Sequence, residues 1–263
     1  MDFSIIGKKL YIHYDYDEYL SDDMIRHISE FDELEFSNYD NAFFGIKKLN
    51  PLHVFTPYKS VWNHPIDNLP NSIKSLCLGH SFNKNVDNLP NSIVRLEFGV
   101  MFNQQINKLP DSILELIMGC SFNQQVNCLP QKLAKFVSGI AFNQPIDNLP
   151  LTLIYLELGY SFNNNVDYLP NSLLELSLGY SFNQKVDDLP NSLVELSFGI
   201  SFNQDISNLP DSIVNLNLSY GFEKNIYKLP KNLKRLEIPS QQNGQFVVNK
   251  LERKFPYIQI VHI

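Results

Sequence analysis

Three glutamates and three tyrosines in the second half of the chain have types and spacings that can do chemistry. They are Glu157, Glu175 and Glu195, with Tyr155, Tyr160 and Tyr180. Tyr155, Glu175 and Glu195 follow one another at intervals of 20 residues, and so do Tyr160 and Tyr180. Paired carboxylates can act as general acid and base, provided burial or a neighbour pushes their pKa values apart. They can also draw in a basic group from a partner. Tyrosine joins a large apolar ring to a polar tip, a combination that anchors many protein interfaces. Other reactive side chains are scattered. The histidines are His13, His27, His53, His64, His80 and His262, and the cysteines are Cys77, Cys120 and Cys128. The sequence has no Gly-rich phosphate loop, no G-x-S-x-G and no H-E-x-x-H.

The spacing of 20 belongs to the whole chain. A Leu-Pro pair recurs from Leu69-Pro70 to Leu229-Pro230 in nine units of 20 residues without an insertion. Phe-Asn recurs in step from Phe82-Asn83 to Phe202-Asn203, with Trp62-Asn63 opening the array and Phe222-Glu223 closing it. Self-similarity at such a period marks a solenoid. In the unit Ser161 to Tyr180, the apolar residues Leu174, Leu176 and Leu178 alternate, which is strand periodicity and turns Glu175 and Ser177 to the other side. Gly179 then releases the chain, as a residue that tolerates unusual dihedrals. Phe162, Val166 and Leu169 point inward from a helical or irregular return segment, and Pro170 ends it.

One such unit cannot fold alone. Its apolar side chains contribute roughly 1.5–3 kcal/mol each when buried, against about 1–2 kcal/mol of backbone entropy per ordered residue. Stacking on neighbours closes the gap, with parallel strands about 4.8 Å apart. Identical positions then form rows. His80 and Cys120 share a row but sit two strands apart, roughly 9–10 Å, too far for one zinc. An open sheet face also gives paired carboxylates no burial to split their pKa values. We therefore expect no catalytic residue, no metal site and no cofactor. A carbohydrate or nucleic-acid hydrolase is the remotest reading, since the repeats provide no pocket.

The pattern F-N-x-x-[IV]-x-x-L-P-x-S-[LI]-x-x-L-x-[LF]-G resembles the FNIP repeat, a leucine-rich-repeat-like family abundant in social amoebae and in giant viruses that infect amoebae. The resemblance covers roughly Trp62 to Ile238. It implies a leucine-rich-repeat-like solenoid, with a parallel β-sheet on the concave face and short irregular or helical return segments. It also implies an interaction module without catalytic activity of its own. Ordinary leucine-rich repeats place Asn three residues after the last strand leucine. Here that position is usually serine and the asparagine follows two residues later. We expect Asn83, Asn103, Asn123, Asn143, Asn163, Asn183 and Asn203 to form a buried ladder to the backbone of the turns. The alternative is a row of surface turn formers.

Three segments follow: residues 1–60 as an N-terminal cap with degenerate repeats, residues 61–240 as nine repeats, and residues 241–263 as a C-terminal cap. Near the start, Leu10 to Tyr14 alternates like a strand, and Ser21 should cap a short helix. Glu33 to Phe36 resembles a repeat strand, and Ile46 and Leu49 fall near repeat spacing. Near the end, Val247 to Lys254 reads as a short helix and Tyr257 to Val261 as a last strand. Leu20 to Phe31 also resembles the first helix of an F-box, which implies a substrate adaptor with a ubiquitin-ligase subunit as partner.

The net charge of −7, with both signs interspersed, argues against a nucleic-acid partner. No stretch approaches the roughly 20 apolar residues of a membrane span, and the first residues lack a signal-peptide pattern. The expected compartment is cytoplasmic, the host cytoplasm if the protein is viral.

Function is left to the surface. One sheet-face row reads Ser75, Arg95, Glu115, Lys135, Tyr155, Glu175, Glu195, Asn215, Arg235; the other includes Glu97, Glu157 and Glu237. Arg95, Glu115 and Lys135 alternate in sign and can satisfy one another. Glu157, Glu175 and Glu195 form an unrelieved acidic cluster beside Tyr160 and Tyr180. The expected partner is an unidentified protein that binds Tyr155, Glu157, Tyr160, Glu175, Tyr180 and Glu195. The same variation also suits a surface under no constraint.

Overall fold

The computed structural model describes residues 3–12, 16–36, 60–238 and 254–262. The chain divides into two compact units, Met1–Gln124 with Cys128–Leu133 and Gln125–Asn127 with Ala134–Ile263.

In the first unit the strands are β1 (Phe3–Ile6), β2 (Lys9–Ile12), β3 (Glu33–Phe36), β4 (Ser75–Cys77), β5 (Arg95–Glu97) and β6 (Glu115–Ile117). β1 and β2 form an antiparallel hairpin through Gly7, whose φ of 62° is open to glycine at little cost. From β2 to β6 every pairing is parallel. Helix α1 (Asp22–Ile28) is the return segment between β2 and β3. Ser21 caps it by accepting from the Met24 N–H at 3.3 Å, with Asp22 and Asp23 in its first turn. Met24 and Ile28 face the core. Trp62 stands in the phenylalanine row, fully buried, stacked on Phe36 at 4.0 Å and on Phe82 at 5.7 Å. Its indole N–H donates to the Glu18 carbonyl at 2.9 Å. β3 pairs directly with β4, Glu33 opposite Ser75. Ile46, Leu49 and the segment Val247 to Arg253 lie outside the described residues.

The second unit holds β7 (Lys135–Val137), β8 (Tyr155–Glu157), β9 (Glu175–Ser177), β10 (Glu195–Ser197), β11 (Asn215–Asn217), β12 (Arg235–Ile238) and β13 (Gln259–His262). All are parallel, and from β7 to β12 each residue faces the one 20 positions on. The last step, Arg235 to Gln259, is longer.

The strands are only three residues long in most turns, because a 20-residue unit must close on itself. This shortness corrects the expected core. Leu173, Leu176 and Leu178 are buried, while Leu174, which precedes β9, is 40% exposed. The return segments of the repeats are turns and irregular backbone. Their inward side chains stack in rows. Phe142, Phe162, Phe182, Phe202 and Phe222 follow one another at 6.1–6.2 Å with planes within 12° of parallel. The N–H of Leu193 turns back to the Pro190 carbonyl at 3.1 Å. The serine after that proline reaches the previous turn: Ser192 Oγ donates to the Leu173 carbonyl at 2.7 Å, and Ser92, Ser112, Ser172 and Ser212 repeat the bond.

The glycine that follows most of the repeat strands is selected for contact, not for its dihedrals. Among the described glycines only Gly7 has positive φ. A Cβ on Gly179 would fall inside the van der Waals shell of the Gly159 carbonyl, and one on Gly199 inside that of Gly179. Backbone there meets backbone, so a side chain would require the turns themselves to shift. Gly179→Ala should therefore destabilise the protein by about 2 kcal/mol or more, seen as a lowered melting temperature by circular dichroism. Gly199→Ala should match it. An unchanged melting temperature for both would refute the contact.

Candidate functional site

The pairing of β8, β9 and β10 sets Tyr155 opposite Glu175 and Glu175 opposite Glu195. Glu157 lies two residues after Tyr155 and so on the same face. The Tyr155 hydroxyl donates to Glu157 Oε2 at 2.8 Å, and Lys135 Nζ sits 4.6 Å from the centre of the Tyr155 ring. Burial raises the Tyr155 phenol well above its ordinary range, and the hydrogen bond to Glu157 and the charges of Glu157 and Glu175 add to it. Glu157 is thus not unrelieved, as the sequence suggested. Glu195 accepts from the Asn215 amide at 2.9 Å.

Tyr160 and Tyr180 lie just past β8 and β9, 50% and 40% exposed, and stack at 4.4 Å with planes 13° apart. Ile140, Ile200 and Tyr220 continue their row with similar exposure. On the opposite side of the strands Ile154 and Leu174 are also exposed. The sheet face of this unit is therefore a polar strip flanked by two apolar rows. Beyond β10 it opens into a shallow depression of about 200 Å³ lined by Glu195, Asn215, Asn217, Arg235 and Glu237. Here Glu237 accepts from Arg235 at 2.7 Å and from Asn217 at 2.7 Å. That network was missed in the sequence, although the spacing of 20 and the alternation along a strand place its members together.

In the first unit the face is held by ion pairs. Arg95 binds Glu97 at 2.7 Å and Glu115 at 2.8 Å, while Lys9 meets Glu35 at 2.7 Å and Glu33 at 3.8 Å. The expected trio thus contains one close pair, Arg95 and Glu115, and Lys135 stands over Tyr155.

The asparagine row bonds across turns. The side-chain oxygen of Asn183 accepts from the Asn203 N–H at 2.9 Å and from the Gln204 amide at 3.1 Å. Asn83, Asn103, Asn143 and Asn163 accept the same backbone bond from the next turn, and Asn203 accepts it from Glu223. The residues are not buried, however. Asn143 and Asn163 are exposed, and Asn83, Asn103, Asn123, Asn183 and Asn203 are half-buried. Each amide stands at the rim, where it faces water on one side. Among the described residues no cluster of His, Cys, Asp and Glu is placed to hold a metal, and no helix is long and apolar enough to cross a membrane.

Parallel three-residue strands joined by irregular turns of constant length define a leucine-rich-repeat-like solenoid. The FNIP Repeat family model matches residues 62–100, 85–121, 142–181 and 182–221, together just over half of the sequence. The chain belongs to the FNIP-repeat family. It is similar to CroV588 of the giant virus CroV, described as a novel circular LRR protein, at 35% identity and a TM-score of 0.66 over 77% of this chain. The match spans 35% of the CroV588 chain. YopM from Yersinia enterocolitica WA-314 aligns at 16% identity and a TM-score of 0.41, over 89% of this chain and 60% of its own. No curated protein matches the sequence.

Two outcomes test this chemistry. Asn183→Ala should cost about 1 kcal/mol, the net worth of a backbone bond left to water, while Asn183→Asp, which keeps the acceptor, should cost less than half as much in urea titration. A raised phenol pKa favours the protonated form in the folded state, so the unfolded chain loses its proton first as pH passes 10. Stability should fall with pH above that point, and Tyr155→Phe should make the fall shallower. Identical slopes for the two proteins would remove Tyr155 from the account.

Proposed function

We propose that this protein is a non-enzymatic interaction scaffold and that the sheet face of its second unit binds a protein partner. The observation that carries the reading is the stacked, exposed pair Tyr160 and Tyr180, beside the strip that bears Tyr155, Glu157, Glu175 and Glu195. Exposed aromatic side chains held rigid by neighbours lose little freedom on binding and bury a large area. A repeat frame holds them in fixed register, and its variable rows supply specificity. The family and the likeness to CroV588 support a repeat scaffold, and such solenoids present extended binding surfaces.

The adaptor reading draws no support from α1. Met24 and Ile28 are buried within the fold, and only Ile25 of the helix's apolar residues is half-exposed. The repeats, and not α1, are the surface we propose. The cytoplasm is the proposed compartment, where a chain with three free cysteines keeps its thiols.

The test is affinity capture from amoebal cytosol with the full chain and with Tyr160→Ala/Tyr180→Ala, each checked for an unchanged circular dichroism spectrum. Proteins retained by the parent and reduced at least tenfold with the double variant are the expected outcome. Equal retention by both would move the binding surface elsewhere.

A further inference from the structure

The carboxylates of the sheet face obey a pattern with one break. In the first unit, Glu33 and Glu35 meet Lys9, and Glu97 and Glu115 meet Arg95. In the second unit, Glu157 accepts from the Tyr155 hydroxyl and Glu237 is held by Arg235 and Asn217. Glu175 and Glu195 stand apart. They face each other across β9 and β10, about 4.8 Å apart along the sheet. Both are exposed. Glu195 has only the neutral Asn215 amide, and among the described residues no cation and no hydrogen-bond donor meets Glu175.

Like charges directly opposite on paired strands destabilise the sheet. Lys135, two strands from Glu175 in the same row, is turned onto the Tyr155 ring. Side chains that start one strand spacing apart are within reach of one planar guanidinium, which donates to two acceptors at once and keeps its charge at any physiological pH. The apolar rows on either side, Ile154 and Leu174 before the strands and Tyr160 and Tyr180 after them, suit apolar residues next to that cation.

We infer that the partner presents an arginine flanked by apolar residues, with the guanidinium bridging Glu175 and Glu195 and an apolar neighbour resting on the Tyr160–Tyr180 stack. The inference rests on the reading of this face as the binding surface. The partner supplies to Glu175 and Glu195 the cation that Lys9, Arg95 and Arg235 supply to the carboxylates near them. An ammonium group fits less well, because it is compact, strongly hydrated and has no fork to span two acceptors.

The test uses the full chain and fluorescein-labelled decapeptides of alternating arginine and leucine, lysine and leucine, or glutamate and leucine, read by anisotropy in 50 and 500 mM salt. The arginine peptide should bind at least fivefold tighter than the lysine peptide, with no binding of the glutamate peptide. Glu175→Gln/Glu195→Gln should weaken the arginine peptide at least tenfold in 50 mM salt and flatten its salt dependence. Glu115→Gln, which removes an already paired carboxylate, should change affinity less than twofold. Tyr180→Ala should weaken binding at either salt concentration without changing the salt dependence. Unaltered binding to the double glutamine variant, or no binding of the arginine peptide to the parent, overturns the arginine bridge. If the capture experiment still shows loss with the tyrosine variants, the interaction surface stands with another partner chemistry. If the tyrosine variants are silent in both experiments, the surface itself fails.

Discussion

Backbone meets backbone where one turn passes over the next, and this contact sets what the rest of the second unit can do. The Gly139, Gly159 and Gly179 carbonyls each occupy the space where a side chain on the next turn's glycine would begin. With no side chain between them, the turns close to the separation of paired strands, and Tyr155, Glu175 and Glu195 come into register. The same closeness makes the phenylalanines stack and lets a serine hydroxyl or an asparagine oxygen reach the neighbouring backbone. In the row Gly159, Gly179, Gly199 and Ser219, Ser219 alone carries a side chain here, and its hydroxyl donates to the Gly199 carbonyl, so the step from β10 to β11 keeps its pairing and its stacked rings.

The hydrogen bonds follow from that closeness. A three-residue strand leaves most of its unit without a sheet partner, yet backbone N–H groups in a packed interior must be satisfied. The return segment meets the demand in several ways. Bonds such as Ser181 N–H to the Tyr160 carbonyl link successive turns, bonds such as Phe182 N–H to the Gly179 carbonyl close each bend, and the asparagine row takes the N–H at its own position. Specificity and stability are therefore separated by position. The inward rows and the rim amides hold the frame, while the strand residues that face outward vary without cost to it.

Much of this was written in the sequence. The period of 20, the Leu-Pro turns and the phenylalanine row disclosed a stacked solenoid, since each repeats with an invariant side chain. Periodicity failed where two explanations share one residue type. Leu173 and Leu174 are both leucine, and only the shortness of β9 decides that the first is buried. Glycine after a strand suggests a special dihedral, but close approach selects glycine equally well. The asparagines were legible as acceptors, whereas their exposure depends on how far the turn projects. At the candidate site the rows placed Tyr155, Glu175 and Glu195 side by side. That Tyr155 binds Glu157 and shelters beneath Lys135 depends on side-chain torsions that no spacing encodes.

The constant step between turns also has a genetic meaning. Since residue n faces residue n + 20 from β7 to β12, any unit's boundary is compatible with any other's. Unequal recombination that gains or loses one whole unit would preserve every inward row and every cross-turn bond, shifting only the outward residues against one another. Two glutamates on consecutive turns are then a spacing that such an exchange can create or erase in a single event. The proposed binding face is in this sense an arrangement of interchangeable tiles, whose outward pattern can drift by copy number while the scaffold stays folded.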